Sequence, residues 1–321
     1  MLYEYAVEPV AIGANWETFK YLIEKFGFDK GRLVAWFPGS WDRDVWNAAK
    51  ASGMGQVKLK SVEDRLARTK KNGLFRRGRR YDVGLGDWVS NALAQHEIIP
   101  FRAILLNEPI AGNGSTLKVD EVDEFSHLFS SLTSWETQRT PEGIATAIGP
   151  LVSAAKEIMV VDPYLDLRNL NAEDYRGPLK SMMAYMVSCG VRNRTIQLHF
   201  VTHNTRPNVS FIKANATNWV QGMIPEGFGL ELYEWLQRPG GAQFHDRYVL
   251  CDCGGISAGT GFGAVGAHQK VGFLLLSMDD VEAKSARLRP DTCAFDLVHP
   301  VTRIDHNGNV TVLEEKTGNI T

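Results

Sequence analysis

The chain is poor in cysteine: 4 in 321 residues (Cys189, Cys251, Cys253 and Cys293), with no C-x-x-C pair. A disulfide-stapled miniprotein is thereby excluded, and Cys251-Asp252-Cys253 is too tight for an ordinary zinc knuckle. The expectation is thiols in a reducing cytoplasm, with no metal and no cofactor. An excess of one charge is also missing. Lys and Arg total 35 against 37 Asp and Glu, so no global positive field draws the molecule onto nucleic acid or an anionic membrane, and any such binding needs a local patch. No uninterrupted apolar run approaches the ~20 residues of a membrane-spanning helix, and the opening MLYEYAVEPV has neither a basic start nor an apolar signal core. Internal repeats and low-complexity tracts are absent too. What is present is the composition of a core-forming polypeptide, 44% hydrophobic with 8 Trp and 15 Phe, long enough at roughly 150 residues per domain for two domains.

Two α/β halves follow from the hydrophobic periodicity, with a boundary expected near residue 138. In the first, residues 1–138, Asn15 caps a helix that places Phe19, Leu22, Ile23 and Phe26 on one face until Gly27 stops it. The apolar run Leu33–Phe37 then ends at Pro38-Gly39-Ser40, and WDRDVWNAAKAS reads as a helix with Trp41, Val45 and Trp46 inward. Trp16, Trp41, Trp46 and Trp88 all fall on amphipathic faces and read as core. EIIPFRAILLN supplies a buried strand, and a polar helix is predicted over Val119–Leu132. This is a smaller α/β or α+β domain of unassigned role. In the second half, 139–321, Thr140-Pro141 starts a helix. Then IMVVDPYL, PLKSMMAYMVS, TIQLHFVTH, NVSFIKANATNWVQGM and GLELYEWL alternate strand and helix at βαβ spacing. A mostly parallel sheet flanked by helices is expected, closed by an apolar strand over Lys270–Met278, a helix over Asp279–Leu288 and a hairpin at His306-Asn307-Gly308-Asn309.

The one dense basic segment is 65–80, where Arg65, Arg68, Lys70, Lys71, Arg76, Arg77, Arg79 and Arg80 occur with no acid among them. It reads either as a clamp for a phosphate backbone, with Phe75 and Tyr81 available for stacking, or as a solvated helix end and loop. Salt-sensitive binding separates the two.

The chemistry-bearing stretch is FHDRYVLCDCGGISAGTGF. His245, Arg247 and Asp252 stand in the spacing H-x-[KR]-x4-D, and Gly259-Thr260 begins seven residues after the aspartate. In an extended strand positions i and i+2 share a face, so the imidazole and guanidinium are expected to meet the same oxyanion. The histidine supplies a nucleophile or proton near neutral pH, and the arginine grips nonbridging oxygens bidentately. Asp252 orients the imidazole or ties down the arginine. Gly254, Gly255, Gly259 and Gly261 allow backbone N–H groups to approach a phosphate closely, with Gly259, Thr260 and Gly261 as its cradle.

This pattern resembles the phospholipase D superfamily motif, His-x-Lys-x4-Asp followed by Gly-Ser and an asparagine. Arg247 here takes the lysine position and Phe262 that of the asparagine. Within the superfamily the stretch looks most like the phospholipase-D-like C-terminal domain of microtubule-interacting-and-trafficking proteins and its bacterial relatives. IMVVDPYL, with Asp162, Pro163 and Tyr164, resembles that domain's opening strand. The resemblance covers about Pro141–Leu288. It implies a metal-independent phosphodiesterase in which one histidine attacks phosphorus and a second protonates the leaving oxygen. His268-Gln269-Lys270 does not complete a second copy, since Leu275 stands at the acid position. The resemblance therefore implies a homodimeric nuclease with His245, Arg247 and Asp252 as its half-site, of the kind found in bacterial defence systems. It implies alternatively a noncatalytic adaptor that binds a phosphate-bearing ligand, a lipid headgroup or another subunit of a larger assembly.

Overall fold

In the first part of the chain short apolar strands alternate with helices, and every strand pair is parallel. The computed structural model describes residues 1–168, 173–204, 206–220, 222–289 and 294–313, and divides the chain into two units, 1–133 and 134–321. The first unit runs β1 (Tyr3–Val7), α1 (Pro9–Gly13), α2 (Trp16–Ile23), β2 (Arg32–Ala35), α3 (Trp41–Ala51), α4 (Gln56–Asn72), β3 (Leu74–Phe75), α5 (Trp88–Ile98), β4 (Ala103–Leu106) and β5 (Thr116–Lys118). The sheet order is β3-β2-β1-β4-β5. Strands buried on both faces read as continuous apolar runs, as β2 and β4 do. Tyr5, Val7, Val34 and Leu105 pack under α1–α4, while Ala6, Ala35, Ile104 and Leu106 pack under Ala92 of α5.

Local signals account for several boundaries. The Asn15 side chain accepts from the N–H groups of Glu17 and Thr18 and starts α2 where the sequence placed it. Trp41 is fully buried and donates its indole N–H to the carbonyl of Val7 (2.6 Å), whereas Trp16, Trp46 and Trp88 are half-buried at the core's margin. The helix expected over Val119–Leu132 does not form; that stretch is a series of turns. Asp123 takes the N–H groups of Phe125 and Ser126 and the Ser126 hydroxyl onto one oxygen, which offers the backbone an alternative to helical bonding.

The second unit begins earlier than residue 139 because β6 (Ser134–Arg139) is a strand of its sheet. It continues with α6 (Pro141–Ala154), β7 (Ile158–Val161), α7 (Arg176–Ser188), β8 (Arg194–Val201), α8 (Val209–Ala214), α9 (Ala216–Val220) and β9 (Phe228–Leu236). Then follow β10 (Tyr248–Cys251), β11 (Gly254–Ala258), β12 (Gly266–Leu276), α10 (Met278–Ala286), β13 (Asp296–Leu297), β14 (Thr302–Asp305) and β15 (Val310–Val312). The main path is β15-β14-β9-β8-β7-β10-β11-β12-β6, with β13 beside β9. Only β7-β8 and β8-β9 pair in parallel, so the expected mostly parallel sheet is mixed. Asp252-Cys253 joins β10 to β11, and a connection that short permits only an antiparallel pair. One helix was expected over Asn208–Met223; the described residues form the two short helices α8 and α9. Asn215 interrupts them, its side chain donating back to the carbonyl of Phe211.

Strand alternation separates two layers. Val161, Leu250 and Leu276 face Val281 of α10, Phe295 and Trp235. Val160 faces Ile144, Ile148, Met182 and Phe262 on the side of α6 and α7. This division decides what the motif residues meet.

Candidate functional site

Arg247 immediately precedes β10 and lies on the α6–α7 side. Its Nη1 donates to the carbonyl of Gly259 (3.1 Å), its Nε lies 3.8 Å from a carboxylate oxygen of Asp162, and its guanidinium carbon sits 4.7 Å from the ring centroid of Tyr164. Asp162 follows β7 directly and is fully buried. Its two oxygens accept from the backbone N–H groups of Tyr164 (2.9 Å) and Phe262 (3.1 Å). Burial pushes its carboxyl above the ordinary carboxylate value, against the opposing pull of those N–H groups and of Arg247. Gly261 makes the arrangement possible: at φ +91° its added Cβ would stand 2.6 Å from an Asp162 oxygen and 2.9 Å from Arg247 Cδ.

A second arginine reaches the same ring. Arg206, in the loop after β8, lies with its guanidinium carbon 4.9 Å from the Tyr164 centroid and donates to the carbonyl of Pro163. Tyr164 is 40% exposed. Two guanidiniums thus share one accessible aromatic ring at the carboxyl ends of the parallel strands β7 and β8, the edge where open α/β sheets present ligands. Behind it the buried Arg139 donates one nitrogen to Glu173 (2.9 Å) and to the carbonyl of Thr260 (3.0 Å), and Glu173 accepts from the Tyr175 hydroxyl (3.0 Å). Burial and the neighbouring acids Asp162 and Glu173 raise the Tyr175 phenol well above its ordinary value.

The other motif residues go elsewhere. His245 was expected to share a face with Arg247, but β10 begins only at Tyr248, so strand alternation does not extend back to the histidine. His245 is exposed and lines a hollow on the α10 side with Val161, Tyr248, Lys284 and Arg287. There Asp246 accepts from the Tyr248 hydroxyl, and Lys284 lies 4.6 Å from the Tyr248 ring centroid. Asp252 stands at the far end of β10, where its carboxylate accepts from the N–H groups of Lys156 (2.8 Å) and Glu157 (3.2 Å). It neither orients the imidazole nor restrains the arginine; Asp162 does the latter. The glycine-rich cradle also differs from expectation. Gly259 and Thr260 turn carbonyls toward Arg247 and Arg139, the Gly259 N–H pairs with Gly272, and Gly261 is packing space for Asp162 and Arg247. Gly254 and Gly255 belong to β11, Gly255 against Val281.

The basic segment is dispersed by the fold. Arg65 pairs with Glu24, Lys70 with Asp42 (2.7 Å), and Arg77 and Arg79 with the buried Glu4 (3.6 and 2.7 Å). Arg79 is a structural residue: only 3% of its side chain is exposed, it meets Glu4 with two nitrogens, donates to the carbonyls of Gln95 and Ile99, and lies over Phe101. Phe75 is buried and Tyr81 packs on Phe37, so neither offers a free stacking face. Arg68, Lys71, Arg76 and Arg80 remain exposed, with Arg76 over Trp36.

Among the described residues no group of three His, Cys, Asp or Glu side chains is placed to hold a metal, and no helix is long and apolar enough to cross a membrane. Cys189, Cys251 and Cys253 are buried, and burial raises the Cys251 thiol; Cys293 lies outside the described residues. His199 is buried on β8, stacked on Tyr233 (4.4 Å). Its Nδ1 accepts from the Trp235 indole, which leaves Nε2 to donate to Gln197 as a neutral tautomer. Asp162 and Tyr164 were visible in the sequence only as part of a strand end, and Arg206, Arg139 and Glu173 carried no motif. No protein-family model matches the chain, and no curated protein matches it.

Proposed function

We propose that the second unit is a phospholipase-D-like domain that binds a phosphate-bearing ligand without hydrolysing it, at the edge formed by Arg206, Arg247 and Tyr164. The observation that carries the reading is the pair of guanidiniums within 5 Å of one accessible ring centroid. Guanidinium nitrogens match phosphate oxygens bidentately, and an aromatic face holds them there without consuming their donors. Asp162 braces Arg247 from beneath, so Arg206, which is in no ion pair among the described residues, supplies the net positive charge. Free phosphate, a lipid headgroup and a nucleotide share this chemistry. Calorimetric titration with inorganic phosphate, glycerol 3-phosphate and a dinucleotide ranks them. Arg206→Gln and Arg247→Gln are expected to weaken the best of them at least tenfold, and His245→Ala to leave it unchanged. Binding indifferent to both arginines would sink the proposal.

A second reading, a homodimeric metal-independent nuclease, is favoured by one feature. His245 is exposed and makes no hydrogen bond or ion pair among the described residues. Its imidazole is available to attack phosphorus, with the partner copy's histidine protonating the leaving oxygen. Cleavage of a phosphodiester in chelator that disappears in His245→Ala, from a protein of dimeric solution mass, would establish this reading over the first.

A further inference from the structure

The second unit also has a cleft away from the motif, roomier than the hollow beside His245. A polar cleft of about 340 Å³ opens at the amino ends of β7, β8 and β9, lined among others by Lys156, Arg194, Thr195, Gln197, Glu231 and Arg303. Three cations meet there from three separate segments: Lys156 before β7, Arg194 at the first position of β8, and Arg303 on β14. None of the three is in an ion pair among the described residues. Arg303 donates to the Thr195 hydroxyl (2.7 Å), and the Arg194 Nε is buried without any acceptor. A buried donor with no partner forfeits a hydrogen bond, and the three cations outnumber the two carboxylates of the cleft, Glu157 and Glu231; an anion there supplies the missing acceptor and balances the charge.

The turn that presents Lys156 is itself built for position. Asp252 receives the N–H groups of Lys156 and Glu157, so the motif's aspartate serves this end of the strand. The cleft is also not purely cationic. Glu231 stands opposite Arg303 in the β9–β14 ladder and accepts from the Tyr233 hydroxyl, and the exposed Glu157 carboxylate lines the same cleft. A bare inorganic anion would face those carboxylates unfavourably, whereas a ligand that carries hydroxyl groups beside its phosphate offers donors to Glu157 and an anion to the arginines. The volume falls at the lower end of small-molecule sites and exceeds what phosphate alone fills.

We propose that this cleft is a binding site for a small phosphorylated ligand bearing hydroxyl groups, a sugar phosphate or a mononucleotide, with its phosphate between Arg194 and Arg303. The site is separate from the Arg206–Arg247 edge and does not depend on it.

The test is calorimetric titration of the full chain with ribose 5-phosphate, AMP, inorganic phosphate and ribose at constant ionic strength. Either ribose 5-phosphate or AMP is expected to bind at least tenfold more tightly than inorganic phosphate, and ribose not to bind. Which of the two is tighter identifies the source. Arg194→Gln and Arg303→Gln should each weaken binding tenfold or more while Arg247→Gln leaves it intact. Neither arginine is in an ion pair among the described residues, so the melting temperatures of both variants should stay near wild type and serve as the folding control. Absence of binding by all the phosphorylated probes overturns the proposal, as does binding indifferent to Arg194→Gln and Arg303→Gln. Binding lost in Arg247→Gln instead would assign the ligand to the other edge and equally overturn it.

Discussion

The two units treat positive charge in opposite ways. In the first, eight cations crowd into 16 residues of sequence (65–80), yet the fold hands four of them to carboxylates from distant segments, Glu24, Asp42 and Glu4. In the second, the cations that converge come one at a time: Arg206 and Arg247 at one end of the sheet, Lys156, Arg194 and Arg303 at the other. Density along the chain therefore marks scaffold in one unit, while sparse residues gathered by strand order make the surfaces proposed as binding sites in the other. Proximity in sequence and convergence in space are different quantities, and recognition depends on the second.

The comparison breaks most visibly at Arg79. If it is scaffold, Arg79→Ala strands a buried carboxylate, and loss of one partner of a buried pair costs about 3–5 kcal/mol. The lower end of that range is expected, because Arg77 stays 3.6 Å from Glu4. Urea unfolding of the two proteins measures it. Arg79→Lys should recover only part, since a single ammonium cannot reproduce a two-nitrogen contact with Glu4 together with the carbonyls of Gln95 and Ile99. A change under about 0.5 kcal/mol, the usual effect of a surface site, would return Arg79 to the solvated set.

Gly261 sharpens the other side. Its left-handed backbone and its contact with Asp162 and Arg247 make Gly261→Ala costly on two counts, strain and displacement, together roughly 2–4 kcal/mol. The same change should move the Arg247 guanidinium and weaken phosphate binding at that edge, while leaving the Arg194–Arg303 cleft unaltered. Equal loss at both ends of the sheet would mean the effect is general destabilisation.

Each unit also buries acids that resist ionisation, and Tyr5 in the first and Asp162 in the second give different pH windows. Burial pushes the Tyr5 phenol from 10 to about 12, partly offset by Arg32 and Arg102. An unfolded chain releases this proton near pH 10 while the folded unit keeps it, so stability falls as pH rises from 10 to about 12, by roughly 3 kcal/mol at most. Tyr5→Phe should lack that fall in urea titrations at both limits. Asp162 obeys the same sign lower down: its contribution is complete below the ordinary value of 3.8 and is lost as pH rises through its elevated folded value. Asp162→Asn should remove that slope.

Much of the architecture was legible because it rests on local rules. Asn15 and Thr140 cap their helices through side-chain oxygens, the apolar runs at 103–106, 158–161 and 228–236 are strands, and the hairpin turn near Gly308 joins β14 to β15. Local rules also mark the failures. Asp123 and Asn215 bond to nearby backbone and defeat helices that periodicity alone favoured. The site was less legible, since the residues that brace or accompany Arg247 lie 85 and 41 positions away in sequence, at 162 and 206. The i, i+2 rule was sound but applied to a residue, His245, that precedes the strand. Nothing in the spacing of His245, Arg247 and Asp252 shows where β10 starts, and that start sends the three to different surroundings.

The smallest effect concerns the cations still facing solvent in the first unit: Arg68, Lys71, Arg76 and Arg80. Single alanine substitutions there should change stability by no more than about 0.5 kcal/mol. Their number sets a ceiling on any binding of duplex nucleic acid, because each neutralised phosphate contributes about −0.9 to the slope of log affinity against log salt. All eight basic residues of the segment acting together would give a slope near about −7; four give at most about −3.6. Fluorescence anisotropy of a labelled duplex across a salt series reads the slope directly, and each of the four substitutions should reduce it by roughly one. A steeper slope, or one that Lys70→Ala and Arg65→Ala also lower, would show that Asp42 and Glu24 release their partners to a polyanion. The first unit's charges would then be a stored binding surface, and the contrast between the two units would vanish.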